Sequence, residues 1–298
     1  MNILVTGAAG LIGTELCIQL VEQGHKVFAV DNMSRSDKIP KCHEFYCKDL
    51  SGSLEFLKPI RESIDLIYHL SAINGTSNFY ERPNEVLSNN IRSDLNIFKF
   101  AEECSNLKKI FYASSSEVMS HEDSCDESKH VVIDNISNPR YSYKISKIAS
   151  ENYLHNSKLP WVIIRYFNVY GSETKSGHFV YDQIQNHKNY IFKIIGSNET
   201  RCYTHVEDAV DATIKISDRC PLRKIINIGS LEEITSLEAT KIIAKVMGYS
   251  FIDYQLVSGL RGSPKRRKPN LTQLLTYYPE YNPISFKIGI EKILNKSK

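Results

Sequence analysis

With 298 residues, 42% of them apolar, the chain can bury a substantial core and hold one large or two small domains. A net charge of +3 is too mild for a nucleic-acid binder, and no apolar run approaches the roughly 18 residues of a membrane span. Seven cysteines, odd in number and without a C-x-x-C pair, fit a reduced, cytoplasmic protein; no second ligand pair follows Cys42 and Cys47, so no metal site is expected.

Asn2-Ile-Leu-Val-Thr6 is short, apolar and rich in branched residues, which predicts a buried parallel strand and leaves no room for a signal peptide before it. Gly7-Ala-Ala-Gly10-Leu-Ile-Gly13 follows, and apolar residues then continue at helical spacing to Gln23. Between a strand and a helix, Gly7 permits a tight turn, Gly10 lets backbone approach a pyrophosphate, and Gly13 lets helix pack on strand. Lys26–Val30 reads as the second strand, ended by Asp31. A carboxylate there accepts hydrogen bonds from a ribose 2′-hydroxyl and repels a 2′-phosphate, favouring NAD over NADP; Arg35 nearby is the competing signal.

Further strands are expected at Glu44–Cys47, Asp65–Leu70, Lys109–Ala113, Trp161–Arg165 and Ile225–Gly229. Helices are expected at Gly52–Glu62, Glu85–Cys104, Tyr143–His155, Glu207–Ser217, Thr235–Met247 and Ile284–Leu294, and loops at Gly171–Gly177 and Ser258–Asn270. Such alternation predicts an α/β fold, a doubly wound parallel sheet of Rossmann type with a smaller discontinuous C-terminal substrate domain. The expected boundaries are 1–165 plus about 205–230 for the dinucleotide domain, and about 166–204 plus 231–298 for the second.

Phe111-Tyr-Ala-Ser114-Ser115-Ser116-Glu117-Val118 puts three hydroxyls and a carboxylate at the end of a strand, where the cofactor lies in such a sheet. Tyr143 and Lys147 stand one helical turn apart on one face. An ammonium near a phenol favours the phenolate and lowers its pKa from about 10, making Tyr143 a base.

Together these motifs resemble the extended short-chain dehydrogenase/reductase family, whose members modify nucleotide-activated sugars. The resemblance runs nearly end to end: Thr6–Gly13, Lys48-Asp49-Leu50, His69-Leu70-Ser71-Ala72, Asn90, Arg165–Gly171, Arg201–Asp208 and Arg266–Asn270 match family segments in order. It implies bound NAD, contacted by Gly7, Gly10, Leu11, Ile12, Gly13, Asp31, Asn32, Asp49, Leu50, Leu70, Ser71, Ala72, Asn90, Tyr143, Lys147 and Tyr166. It implies Tyr143 as base, Lys147 as its modifier and ribose anchor, Ser115 as hydroxyl partner, and Glu117 with Ser116 at the positions that select the reaction. Thr76, Ser116, Asn168, Arg201 and Arg267 are the implied contacts of a nucleotide-diphosphate sugar. Guanidinium forks suit a diphosphate because they bind its oxygens bidentately. A homodimer is also implied, through Glu85–Cys104 and Tyr143–His155, with apolar Ile97, Phe98 and Phe100 as consistent contacts.

Three departures bear on the sugar pocket. Met119-Ser120 stand where the family keeps Tyr-Gly, Ser172-Glu-Thr174 replace a proline and arginine, and Asn270 replaces an aspartate. The common step is oxidation of a sugar hydroxyl to a 4-keto sugar. Without an Asp-Glu pair after Ser115, elimination of water is not expected. The leading expectation is 4-epimerisation. Decarboxylation of a uronate is the alternative, since Ser116-Glu117 and Arg267-Lys-Pro269 resemble features of UDP-glucuronate decarboxylases. Release of the keto sugar is a third route.

Overall fold

The computed structural model describes residues 1–119, 125–128, 131, 133, 135–186, 191–250 and 253–296. Ser120, one of the departures above, lies outside them. The N-terminal part runs β1 (Asn2–Thr6), α1 (Leu11–Glu22), β2 (Lys26–Asp31), β3 (Glu44–Cys47), β4 (Leu66–His69), α2 (Thr76–Glu81), α3 (Pro83–Glu102), β5 (Lys109–Ser115), α4 (Tyr141–Asn156) and β6 (Trp161–Tyr166). Then come β7 (Val169–Tyr170), α5 (Phe179–Asn186), β8 (Ile191–Ile195), β9 (Thr200–Cys202), β10 (Thr204–His205), α6 (Val206–Arg219) and β11 (Lys224–Ile228). The chain ends with β12 (Glu233–Thr235), α7 (Ser236–Val246), β13 (Asp253–Val257), β14 (Arg266–Arg267), α8 (Thr272–Tyr277) and α9 (Phe286–Lys296).

Among the described residues, seven strands form one parallel sheet in the order β3-β2-β1-β4-β5-β6-β11. Such a sheet is buried on both faces, which is why β1, β4 and β6 are apolar almost throughout. One apolar cluster joins the sheet to α1, α6 and α8, and another joins its opposite face to α3 and α4. The strand order reverses between β1 and β4, so their carboxyl ends open a crevice.

The elements depart from expectation where local chemistry intervenes. Residues 52–62 do not form an α-helix: Glu55–Ser63 is a 3-10 helix containing Pro59, whose missing N–H and ring oppose α geometry. The segment expected as a loop from Ser258 contains β14, which pairs with β9 and fixes Arg267 beside Arg201 in register. Ile97, Phe98 and Phe100 are buried in the chain's own core, so they are not the dimer contacts that the sequence suggested. A smaller apolar cluster gathers Tyr170, Val180, Tyr203, Ile243, Phe286 and Ile290 around α5, α7 and α9. A capping box between Thr235 and Glu238 starts α7, satisfying backbone donors that a helix leaves open.

Candidate active site

The crevice between β1 and β4 continues into a cleft of about 1270 Å³ that runs across to Arg201, Ser263 and Arg267. Its cofactor end is built by the glycine turn. Gly7 has φ of +66°, and a Cβ there would stand 2.7 Å from the Ser71 amide nitrogen. At Gly13 a Cβ would meet the Gly7 carbonyl oxygen at 2.2 Å, so only glycine lets α1 start this close to the turn. No side chain caps the α1 N-terminus, and Gly10, Leu11 and Ile12 line the cleft there, leaving a helix end suited to an anion. These features fit a dinucleotide pyrophosphate.

Asp31 accepts hydrogen bonds from the amides of Ala9 (3.1 Å) and Met33 (2.8 Å), which fix its carboxylate at the end of β2. Arg35 is drawn elsewhere, donating to the Asn74 carbonyl at 2.9 Å. Arg35 still lines the same cleft as Asp31. Asp31→Ala is expected to erode the preference for NAD over NADP at least about tenfold, read from binding titrations with both dinucleotides.

Of the other expected cofactor contacts, Asn32, Asp49, Leu70, Ser71, Ala72, Tyr143, Lys147 and Tyr166 line the cleft. Leu50 and Asn90 do not. Leu50 is buried in the core below the sheet, and Asn90 is wholly buried, clamping the Ile73 backbone through 2.7 and 3.2 Å bonds. Asn90 therefore shapes the cleft wall from behind.

At the far end of the cofactor crevice, Ser115 ends β5 and its side chain stands near the Tyr143 phenol, whose ionisation it favours. Phe79 of α2 stacks on Tyr143 with ring centroids 4.9 Å apart. Lys147 is buried, its Nζ 4.5 Å from the Tyr112 ring centroid and 5.8 Å from that of Tyr143. The sequence predicts a phenol made acidic by this ammonium; the structure corrects that. Burial pushes the Tyr143 phenol up, the charges of Glu117 and Asp94 add to the effect, and the Ser115 side chain only partly opposes it.

Glu117 is also differently placed than a free acid-base residue. Its Oε1 accepts from Arg140 Nη2 and Arg267 Nη1, both at 2.7 Å. Burial opposes its ionisation, but the two guanidiniums hold it far below the ordinary carboxylate range. Arg267, expected at a diphosphate, is thus engaged beside the reacting end. Arg140 was not foreseen; its only sequence signal is an arginine three positions before Tyr143. Arg140 Nε and Arg267 Nη2 are buried without hydrogen-bond partners among the described residues. Arg201 donates to Glu199 (2.8 Å) and to Ser263 Oγ (3.0 Å), holding two segments together at the cleft wall. Thr76 and Ser116 also line the cleft. So does Asn168, a non-glycine residue at φ +40° whose Oδ1 is buried and has no hydrogen-bond partner among the described residues, a conformation of the kind found at ligand sites.

A doubly wound sheet with this glycine turn and a Ser-Tyr-Lys constellation defines a short-chain dehydrogenase/reductase of the extended type. The chain belongs to the NAD dependent epimerase/dehydratase family, whose model matches residues 3–229; NAD is its cofactor. A UDP-N-acetyl-alpha-D-glucosaminuronate decarboxylase of Bacillus cytotoxicus is 30% identical over 98% of this chain and 96% of its own length. A UDP-glucuronic acid decarboxylase 1 of Danio rerio is 27% identical over 99% of this chain and 71% of its own. In fold, the chain is similar to the UDP-glucuronic acid 4-epimerase of Bacillus cereus, with TM-score 0.86 at 24% identity, covering 99% of this chain and 100% of that one.

Proposed function

We propose that the protein oxidises C4 of a nucleotide-diphosphate uronate and that the resulting 4-keto acid loses carbon dioxide. The observation that carries this reading is the Glu117 carboxylate held by Arg140 and Arg267 beside Ser115 and Tyr143. Two guanidiniums and one carboxylate leave a net positive charge, and each arginine keeps a buried N–H without a hydrogen-bond partner among the described residues. That is an environment for a substrate that carries a negative charge on the sugar itself. The decarboxylases of Bacillus cytotoxicus and Danio rerio named above act on such sugars by their names.

Ser115 and Tyr143 hold the C4 oxygen, and Tyr143 takes its proton as the alcohol is oxidised. Bound NAD supplies hydride acceptance at C4 and hydride return. With C4 a ketone, the C5–C6 bond breaks, its electron pair moves toward the C4 oxygen, and carbon dioxide leaves. A proton then reaches C5. Tyr143, favoured as a phenol by its burial, suits the enolate oxygen at that stage. Residues of about 166–204 and 231–298 form the lobe that takes the nucleotide sugar in this reading.

The second reading is 4-epimerisation, the leading expectation from the sequence. A cleft of about 1270 Å³ gives a keto sugar room to present its other face. The bond between the expected reaction-selecting residue Glu117 and Arg267 puts decarboxylation first. Incubating the protein with NAD and a panel of UDP-uronates and neutral UDP-sugars separates the two by product mass. Loss of carbon dioxide from a uronate is the expected result; a product of unchanged mass and inverted C4 supports epimerisation instead.

A further inference from the structure

A carboxylate that the proposed chemistry does not use lies under the catalytic pair. Asp94, on α3, is wholly buried. Its Oδ1 pairs with His69 Nε2 at 2.8 Å, and its Oδ2 accepts from both Tyr112 and Ser150 hydroxyls at 2.6 Å. His69 in turn meets Thr6 Oγ1 through Nδ1 at 2.6 Å. The ring of Tyr112, whose hydroxyl donates to Asp94, is the one that Lys147 covers.

A fully buried ammonium needs a neighbouring negative charge, because burial penalises its charged form. Lys147 lies over the rings of Tyr112 on β5 and Tyr143 on its own helix, and the carboxylates whose charges reach it are Asp94 on α3 and Glu151 on α4. Glu151 is committed: it accepts from Arg165 through both oxygens (3.0 and 2.7 Å) and from Ser114 at 2.5 Å. Glu117 is committed to Arg140 and Arg267. Asp94 bonds only to hydroxyls and to His69 in the hydrogen bonds above, which leaves its charge uncompensated by a guanidinium.

We infer that Asp94 is the counter-charge of Lys147, a positioning residue that keeps the ammonium charged and seated over Tyr112. The electrostatics agree in sign: burial lowers the Lys147 affinity for its proton while Asp94 and then Glu151 raise it. The inference deepens the assignment of Tyr143 and Lys147 to the oxidation step, and its test uses neither substrate nor turnover.

Asp94→Asn removes the charge and can keep the bonds. Both hydroxyls reach the same oxygen, so an amide oxygen there still accepts from them. The amide nitrogen can donate to His69 Nε2 in its other tautomer. The experiment follows Lys147 by NMR in lysine-labelled, NAD-free full-length protein as pH rises, with Lys147→Met identifying the signal. Thermal unfolding verifies that each variant is folded, and Asp94→Ser replaces the Asn variant if that one is not. The Lys147 titration midpoint is expected to fall by about one pH unit or more in Asp94→Asn, and to stay near the wild-type value in Tyr112→Phe, which loses a bond to Asp94 but keeps its charge. An unchanged midpoint in Asp94→Asn, or an equal fall in both variants, overturns the inference. Neither outcome touches the proposed reaction, which the product assay tests separately.

Discussion

Tyr143→Phe is expected to lower turnover on a UDP-uronate about 1000-fold or more while leaving the fold and NAD binding intact. The phenyl ring keeps the stacking on Phe79 at 4.9 Å, and the replacement removes only the hydroxyl near Ser115. Lys147 still sits over Tyr112, so the cofactor end of the cleft is unchanged. Because the lost interaction forms with the reacting oxygen, the effect belongs in kcat far more than in KM. Turnover assays beside a dinucleotide titration check this. A variant that kept a tenth of the wild-type rate would remove Tyr143 from the chemistry.

Glu117→Gln is expected to damage both stability and activity. It leaves Arg140 and Arg267, each over nine-tenths buried, opposed by a neutral amide in place of a carboxylate. Breaking a buried charge cluster in this way costs about 3–5 kcal/mol. The guanidiniums then repel and lose their aim, and misplacement by about 1 Å lowers the rate about 100-fold. A pH dependence follows, with its sign set by the depressed carboxyl. The contribution of Glu117 to stability is fully present above the unfolded-state pKa of about 4.3 and is lost as pH falls from there toward its folded-state value. Wild-type protein should therefore lose stability in acid more steeply than Glu117→Gln, which chemical denaturation at a series of pH values measures. Parallel acid profiles would contradict the clustered geometry.

The glycine turn, Asp31, Ser115, Tyr143 and Lys147 were legible because each rests on short-range pattern: a strand-to-helix junction, a strand end, a one-turn spacing. The sheet was legible for the same reason, its strands being short apolar runs between helical periods. What escaped the sequence depends on partners far away in the chain. Arg267 meets Glu117 only because β14 pairs with β9, and a two-residue strand has no periodicity to announce it. The direction of the Tyr143 shift was missed because burial, a three-dimensional quantity that raises it most, cannot be read from a one-turn spacing. Asp94 was within reach. It occupies the same helical face as Asn90, Ile97, Phe98 and Ala101, all buried, and an acid on an apolar stripe needs a partner.

On this mechanism C4 is oxidised and reduced again by the same hydride. A UDP-uronate carrying deuterium at C4, incubated with the protein and NAD in ordinary water, follows that hydride. The expected product is decarboxylated, with deuterium still at C4 and solvent hydrogen at C5. Solvent hydrogen at C4 would rule out an internal hydride return.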